Sequence, residues 1–145
     1  MTRPAPVATP PVGPPPAGTT MTGTVFGDIM RRAVELSPGA VGGAFADSEG
    51  EMIDAFTTAD PTDWAILTAH YGVVMHQLHH AFGTWHYGGP EYFIAQHQRM
   101  DVVVHAVGAH YYALLAIAED DGAGALGAAL TSLRGAVAAL KKEIA

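Results

Sequence analysis

The chain contains no cysteine, so disulfides and thiolate metal sites are excluded, a composition that fits a reducing compartment. Basic residues are scarce. Arg3, Arg31, Arg32, Arg99, Arg134, Lys141 and Lys142 are the full set, and they face 14 acidic residues for a net charge of -7. Seven scattered cations make no basic patch, which argues against nucleic acid and anionic membrane as partners. No apolar run approaches the roughly 18 residues of a membrane span. The opening Met1-Thr2-Arg3-Pro4 has no apolar segment behind it, so no signal peptide is expected and the expected location is the cytoplasm. Serine occurs only at Ser37, Ser48 and Ser132, none in a Gly-x-Ser-x-Gly elbow, and there is no Walker loop. These absences remove the commonest hydrolase readings and the reading as a GTPase, so the protein is expected not to be an enzyme.

Proline and glycine are plentiful but unevenly placed. Seven of the ten prolines fall in the first 16 residues, a stretch with too few donors for ladders and too little bulk for a core. Residues 1–21 are therefore expected to be a disordered, Pro-rich arm, and residues 22–145 to form one domain. Within it, Val25, Phe26, Ile29, Met30, Ala33 and Val34 repeat at helical spacing until Ser37-Pro38-Gly39. Residues 40–46 and 52–57 are short apolar runs around Asp47-Ser48-Glu49-Gly50, which supplies an opening Asp and a Gly for positive φ. Gly42 and Gly43 inside a strand imply that another element packs very close. Asp60-Pro61-Thr62-Asp63 starts a long helix, with Asp60 as N-cap and Pro61 at the first helical position. Three strands follow, at about 91–98, 101–107 and 110–118, the last two joined by Gly108-Ala109 as a type II′ turn. Leu126, Leu130, Leu133, Val137, Leu140 and Ile144 then mark an amphipathic final helix. The expected fold class is α+β, an α/β sandwich of order α-β-β-α-β-β-β-α. Its mostly antiparallel five-stranded sheet carries the two terminal helices on one face and the long central helix on the other.

The central helix, expected over residues 61–86, carries the functional argument. At about 100° per residue, Trp64, Leu67, Tyr71, Val74, Met75, Leu78, Phe82 and Trp85 form one large apolar stripe, expected to pack on the sheet. His70, Gln77 and Thr84 form a narrow polar strip. A further face holds Ala65, Ala69, Gly72, Val73, His76, His80 and Gly83. Small residues at intervals of three and four suit the close approach of another backbone. One chain offers no second layer there, so this face is expected to be a homodimer interface about a two-fold axis.

Seven of the eight histidines lie in the span from His70 to His105. His76 and His80, four apart on a helix, could share a zinc or nickel ion, and two such pairs across a two-fold would complete a tetrahedron. Gln77 stands where a metalloprotease helix has its Glu base, and no third ligand lies at recognisable spacing. The expectation is therefore interface histidines, with no metal or cofactor assigned. Imidazoles titrate near neutrality, so a dimer seamed by them is expected to weaken in acid. Gly122-Ala123-Gly124-Ala125-Leu126-Gly127 has dinucleotide-fingerprint spacing, but no strand follows its helix, so the crossover unit is missing.

The segment from Leu36 to Gly50, a helix end followed by Pro-Gly-Ala, a strand and Asp-x-x-Gly, resembles the signature of the roadblock family, which includes dynein light chain roadblock and bacterial regulators of Ras-like GTPases. The element order from about residue 24 to 145 and the small-residue-rich second helix are similar too. The resemblance implies a homodimer with paired second helices and joined sheets. It also implies a non-enzymatic regulator or adaptor of a small Ras-like GTPase or another signalling protein. Typical relatives are less rich in histidine, which keeps an alternative open: a small sensor module binding a metal ion or ligand through His76 and His80.

Overall fold

The computed structural model describes residues 19–20, 23–83, 87–118 and 123–145. Its elements are β1 (Thr19–Thr20), α1 (Val25–Glu35), β2 (Ala40–Asp47), β3 (Met52–Thr57), α2 (Pro61–Phe82), β4 (Tyr92–Gln96), β5 (Met100–Val107), β6 (Tyr111–Ala118) and α3 (Ala123–Ile144). The strands form one sheet of order β1-β3-β2-β6-β5-β4 with every neighbouring pair antiparallel. The expected five strands and three helices are all present, with α1 and α3 on one face and α2 on the other. The two-residue β1 was not expected. Thr19 and Thr20 pair with Thr57 and Phe56, so the chain joins the sheet inside the stretch assigned to the arm. Residues 1–18 and 21–22 of that arm lie outside the described residues, as do residues 84–86 of the expected central helix and 119–122 before the last one.

Local chemistry sets the boundaries. The Thr24 hydroxyl caps α1 by accepting from the backbone N–H of Phe26 and Gly27. Asp54, fully buried on β3, in turn accepts from the Thr24 N–H at 2.8 Å and its hydroxyl at 2.6 Å. A carboxylate is thus placed at the positive end of a helix. Gly27 makes room for it, since a Cβ there would stand 2.5 Å from Asp54 Oδ2. Asp47 builds the β2–β3 turn by accepting from the N–H of Glu49 and Glu51, and Gly50 takes φ +90°. The β5–β6 turn is longer than expected. Val107 pairs with Tyr111, which leaves a three-residue loop, Gly108-Ala109-His110, with Gly108 at φ +66°.

The two glycines inside β2 serve opposite faces, as the two-residue strand period demands. A Cβ at Gly42 would meet the Trp64 ring of α2 at 2.9 Å, and one at Gly43 would meet Met30 of α1 at 3.1 Å. On the α1–α3 face, Met30, Phe45, Val103, Val107, Leu115, Leu133 and Leu140 are fully enclosed. The buried stripe of α3 also takes in Ala125, Ala129 and Ala136. On the α2 face, alanines 44, 46, 55 and 116 alternate with Val102, Val104, Tyr112 and Leu114, a low surface that lets one helix sit close.

Asp54→Ala leaves the Thr24 N–H and hydroxyl without their acceptor, and is expected to cost about 2–3 kcal/mol in urea unfolding. Thr24→Val at the same cap should lose less, because Asp54 keeps the backbone donor.

Candidate functional site

The sheet seats α2 through a narrow line of contacts. Trp64, Thr68, Tyr71, Gly72 and Met75 are its buried residues. Thr68 is polar yet fully enclosed because its hydroxyl donates to the Trp64 carbonyl at 2.9 Å, within the helix. The Thr68 carbonyl accepts from the Tyr112 hydroxyl of β6 at 2.6 Å. Burial, and then the nearby Asp47 charge, push the Tyr112 phenol far above its ordinary pKa, so it remains a donor. Beside this bond, Gly72 lies against Gly50 of the β2–β3 turn. A Cβ on Gly72 would stand 2.5 Å from Gly50 Cα and 2.6 Å from the Tyr112 oxygen.

These contacts roll α2 by about 50° from the orientation its apolar pattern suggests, taking about 100° per residue. The flank carrying Tyr71, Leu78 and Phe82 leans over β4. The Tyr71 ring is 6.0 Å from that of Phe93, and its hydroxyl hydrogen-bonds His97 Nε2. Burial raises the Tyr71 pKa. Leu78 and Phe82 line a hollow of about 490 Å³ with Pro90, Glu91 and Phe93. The opposite flank carries Ala69, Gly72, His76 and His79 over the β2–β3 and β5–β6 turns. Ala69 abuts Gly50, and His76 and His79 border a smaller hollow of about 210 Å³ with Ser48, Ala109 and His110.

The residues expected at a dimer interface therefore divide. Gly72 is the clear departure: its own chain encloses it, and its missing side chain is explained by Gly50 and Tyr112. Ala65 is half-buried, while Ala69, His76, His80 and Gly83 are exposed, on or near the flank that overlooks the turns. Val73, 53% exposed, is the one that stands near the crest of the open surface. Ile66, 51% exposed, was missed, although it lies seven residues before Val73 and so on the same line. Val74 and Phe82, expected on the sheet, are exposed along the β4 side, with Leu67 and Leu78 half-buried beside them. His76 and His80 stack, with ring centroids 6.5 Å apart, but among the described residues no three His, Cys, Asp or Glu side chains are grouped to hold a metal.

The strand beneath that flank is also open. Among the described residues, β4 is the last strand of the sheet and pairs only with β5. The Ala106 N–H donates to the Glu91 carbonyl, and the His97 N–H donates to the Met100 carbonyl. In an antiparallel ladder alternate residues face alternate neighbours, so Tyr92, Ile94 and Gln96 turn their N–H and C=O outward. Ile94 is an exposed large apolar side chain on this edge. No helix among the described residues is long and apolar enough to cross a membrane.

No family model and no curated protein matches the sequence. Solved structures do match. An MglB described as having a tetrameric arrangement superposes with a TM-score of 0.69 at 17% identity, covering 81% of this chain and 86% of its own. MglB of Myxococcus xanthus gives 0.73 at 12%, covering 86% and 98%. A Roadblock/LC7 domain from Streptomyces avermitilis gives 0.69 at 13%, covering 81% and 96%. The protein thus has the roadblock fold, in agreement with the resemblance carried by residues 36–50. MglB and a Roadblock/LC7 domain are among the solved proteins it is similar to.

Gly72→Ala separates the two roles of this helix. Helix propensity alone would stabilise the variant by about 1 kcal/mol. The contact with Gly50 is expected to destabilise it by about 1–3 kcal/mol, read as a lower urea midpoint.

Proposed function

We propose that the protein is a non-enzymatic, homodimeric roadblock-type regulator or adaptor that binds a small Ras-like GTPase. One observation carries the pairing: the unpaired edge of β4 and the uncovered apolar flank of α2 lie side by side. A two-fold axis beside β4 covers both at once. Centred on Ile94, it pairs Tyr92 with Gln96 of the partner subunit and uses every outward backbone group of the strand. The same axis brings Val74 and its exposed neighbours toward the second α2. The shared fold with MglB, one of which is described as tetrameric, is consistent with an assembly built from copies of one chain.

This reading keeps Val73 and moves the rest of the interface from the small-residue face to Ile66, Val74, Leu78, Phe82 and the β4 edge. His76 and His80 then border the turn side, so a four-imidazole site across the axis loses its geometry. A GTPase as partner rests on the resemblance of the sequence and fold to roadblock regulators. The expected place of action is the cytoplasm. The protein would contribute a surface, since no residue here is assigned a chemical step.

Val74→Glu places a charge on the flank facing the partner and is expected to weaken the dimer by about tenfold or more in sedimentation equilibrium. His76→Glu, on the other flank, should leave the mass unchanged. Equal effects of the two would return the interface to the small-residue face. The wild-type chain is expected to capture a Ras-like GTPase of its own genome and to change the rate of GTP hydrolysis. Failure with every such GTPase would remove that half of the proposal and leave the pairing untouched.

A further inference from the structure

The opposite face of the molecule carries a second open surface. α1 and α3 pack side by side but part along their outer edges, leaving a groove of about 540 Å³. One wall is α1, with Val25, Ile29, Ala33 and Leu36; Leu36 is 64% exposed. The other wall is α3, whose lining is all short: Thr131, Ser132, Gly135, Ala136 and Ala139. A Cβ at Gly135 would find no atom within 4 Å, so the fold leaves open space there. No aromatic ring lines the groove, and its polar groups are mostly donors: Arg32 and the two hydroxyls, against one carboxylate, Asp28. Asp28 already accepts from Arg31, which also faces Glu35.

We propose that this groove is the docking site for the chain's own Pro-rich N-terminal arm, with the stretch from Pro10 to Gly18 lying along it. The arm enters from the right place. β1 runs from Thr19, opposite Thr57, to Thr20, opposite Phe56. The chain therefore enters β1 from the Thr57 end of β3, where the Thr58 N–H meets the Val41 carbonyl at the start of β2. β2 follows α1 by only Ser37-Pro38-Gly39, so Thr19 lies toward the same end of the α1 layer as Leu36, with β3 between β1 and β2.

Length fits as well. The nine residues from Pro10 to Gly18 reach about 28 Å at the polyproline II rise, enough to pass the roughly 16 Å of α1. The chemistry is complementary. Proline has no N–H to leave unsatisfied on an apolar wall, while its carbonyls are strong acceptors for Arg32, Thr131 and Ser132. Pro10, Pro11, Val12, Pro14, Pro15 and Pro16 supply apolar area with little backbone freedom to lose. Arg3 is the only charged residue before Asp28, so the docked stretch brings no charge to bury.

The absence of cysteine makes the test direct. A nitroxide on Ala8→Cys in the full chain is expected to attenuate the amide signals of Val25, Asp28 and Ile29, at the far end of the groove. Gly135→Glu fills the groove with a charged chain and should abolish the attenuation, whereas Gly135→Ala should keep it. Attenuation limited to the neighbours of Thr19, such as Thr57 and Thr58, would overturn the proposal and leave the groove to an outside partner. Attenuation that persists in Gly135→Glu would place the arm elsewhere and overturn it too. So would a signal that appears only on isotope-labelled, nitroxide-free chains mixed with the spin-labelled ones, because the arm would then come from a second copy.

Discussion

The rotation of α2 about its own axis decides which surface this molecule offers. Two contacts set that rotation: the approach of Gly72 to Gly50, and the hydrogen bond from the buried Tyr112 hydroxyl to the Thr68 carbonyl. Both sit on the turn side of the helix. Together they draw that side down onto the sheet and lift the other. What is lifted is apolar: Val74 is left exposed on the β4 side, with Ile66 and Val73 at the crest. A roll of half a residue position would bring Val74 onto the sheet and lift Thr68, whose hydroxyl is already satisfied inside the helix. The polar residue in the seat and the apolar residues outside it are one arrangement.

Much of the architecture was legible in the residues. Turn chemistry at Asp47–Gly50, the cap at Asp60-Pro61 and the glycine pair in β2 each name a local geometry that only those residues meet cheaply. The structure uses all three as expected. Element order then left few ways to arrange the layers. The orientation of α2 was not legible from hydropathy, because its buried line includes Thr68 and Gly72, which no apolar scale selects. Gly72 was read as a place for a second chain to approach; the close approach exists, but it is to Gly50 of the same chain. The sixth strand, Thr19–Thr20, carries no apolar signal and exists because the edge of β3 offers backbone partners. Ala129 and Ala136 of α3 lie outside the expected stripe from Leu126 to Ile144, yet they are buried positions of the α1–α3 layer.

The two faces of the sheet divide their tasks accordingly. α1 is pinned at its start by Asp54 and fits against α3, so that layer is closed at its base and opens along an outer groove. The α2 layer has one helix and an unpaired strand beside it. That asymmetry suits self-association on one face and separate docking on the other.

The most direct test of the central claim uses the cysteine-free background. Ile94→Cys and Ala69→Cys place single thiols at the β4 edge and on the turn-side flank of α2. A two-fold axis at Ile94 brings the paired Cα atoms to about 5.5 Å, within disulfide range. Mild oxidation should convert the Ile94→Cys chain to a covalent species of twice its 15.1 kDa and leave the Ala69→Cys chain single. Cross-linking through position 69 and not through 94 would contradict this account of how α2 is turned.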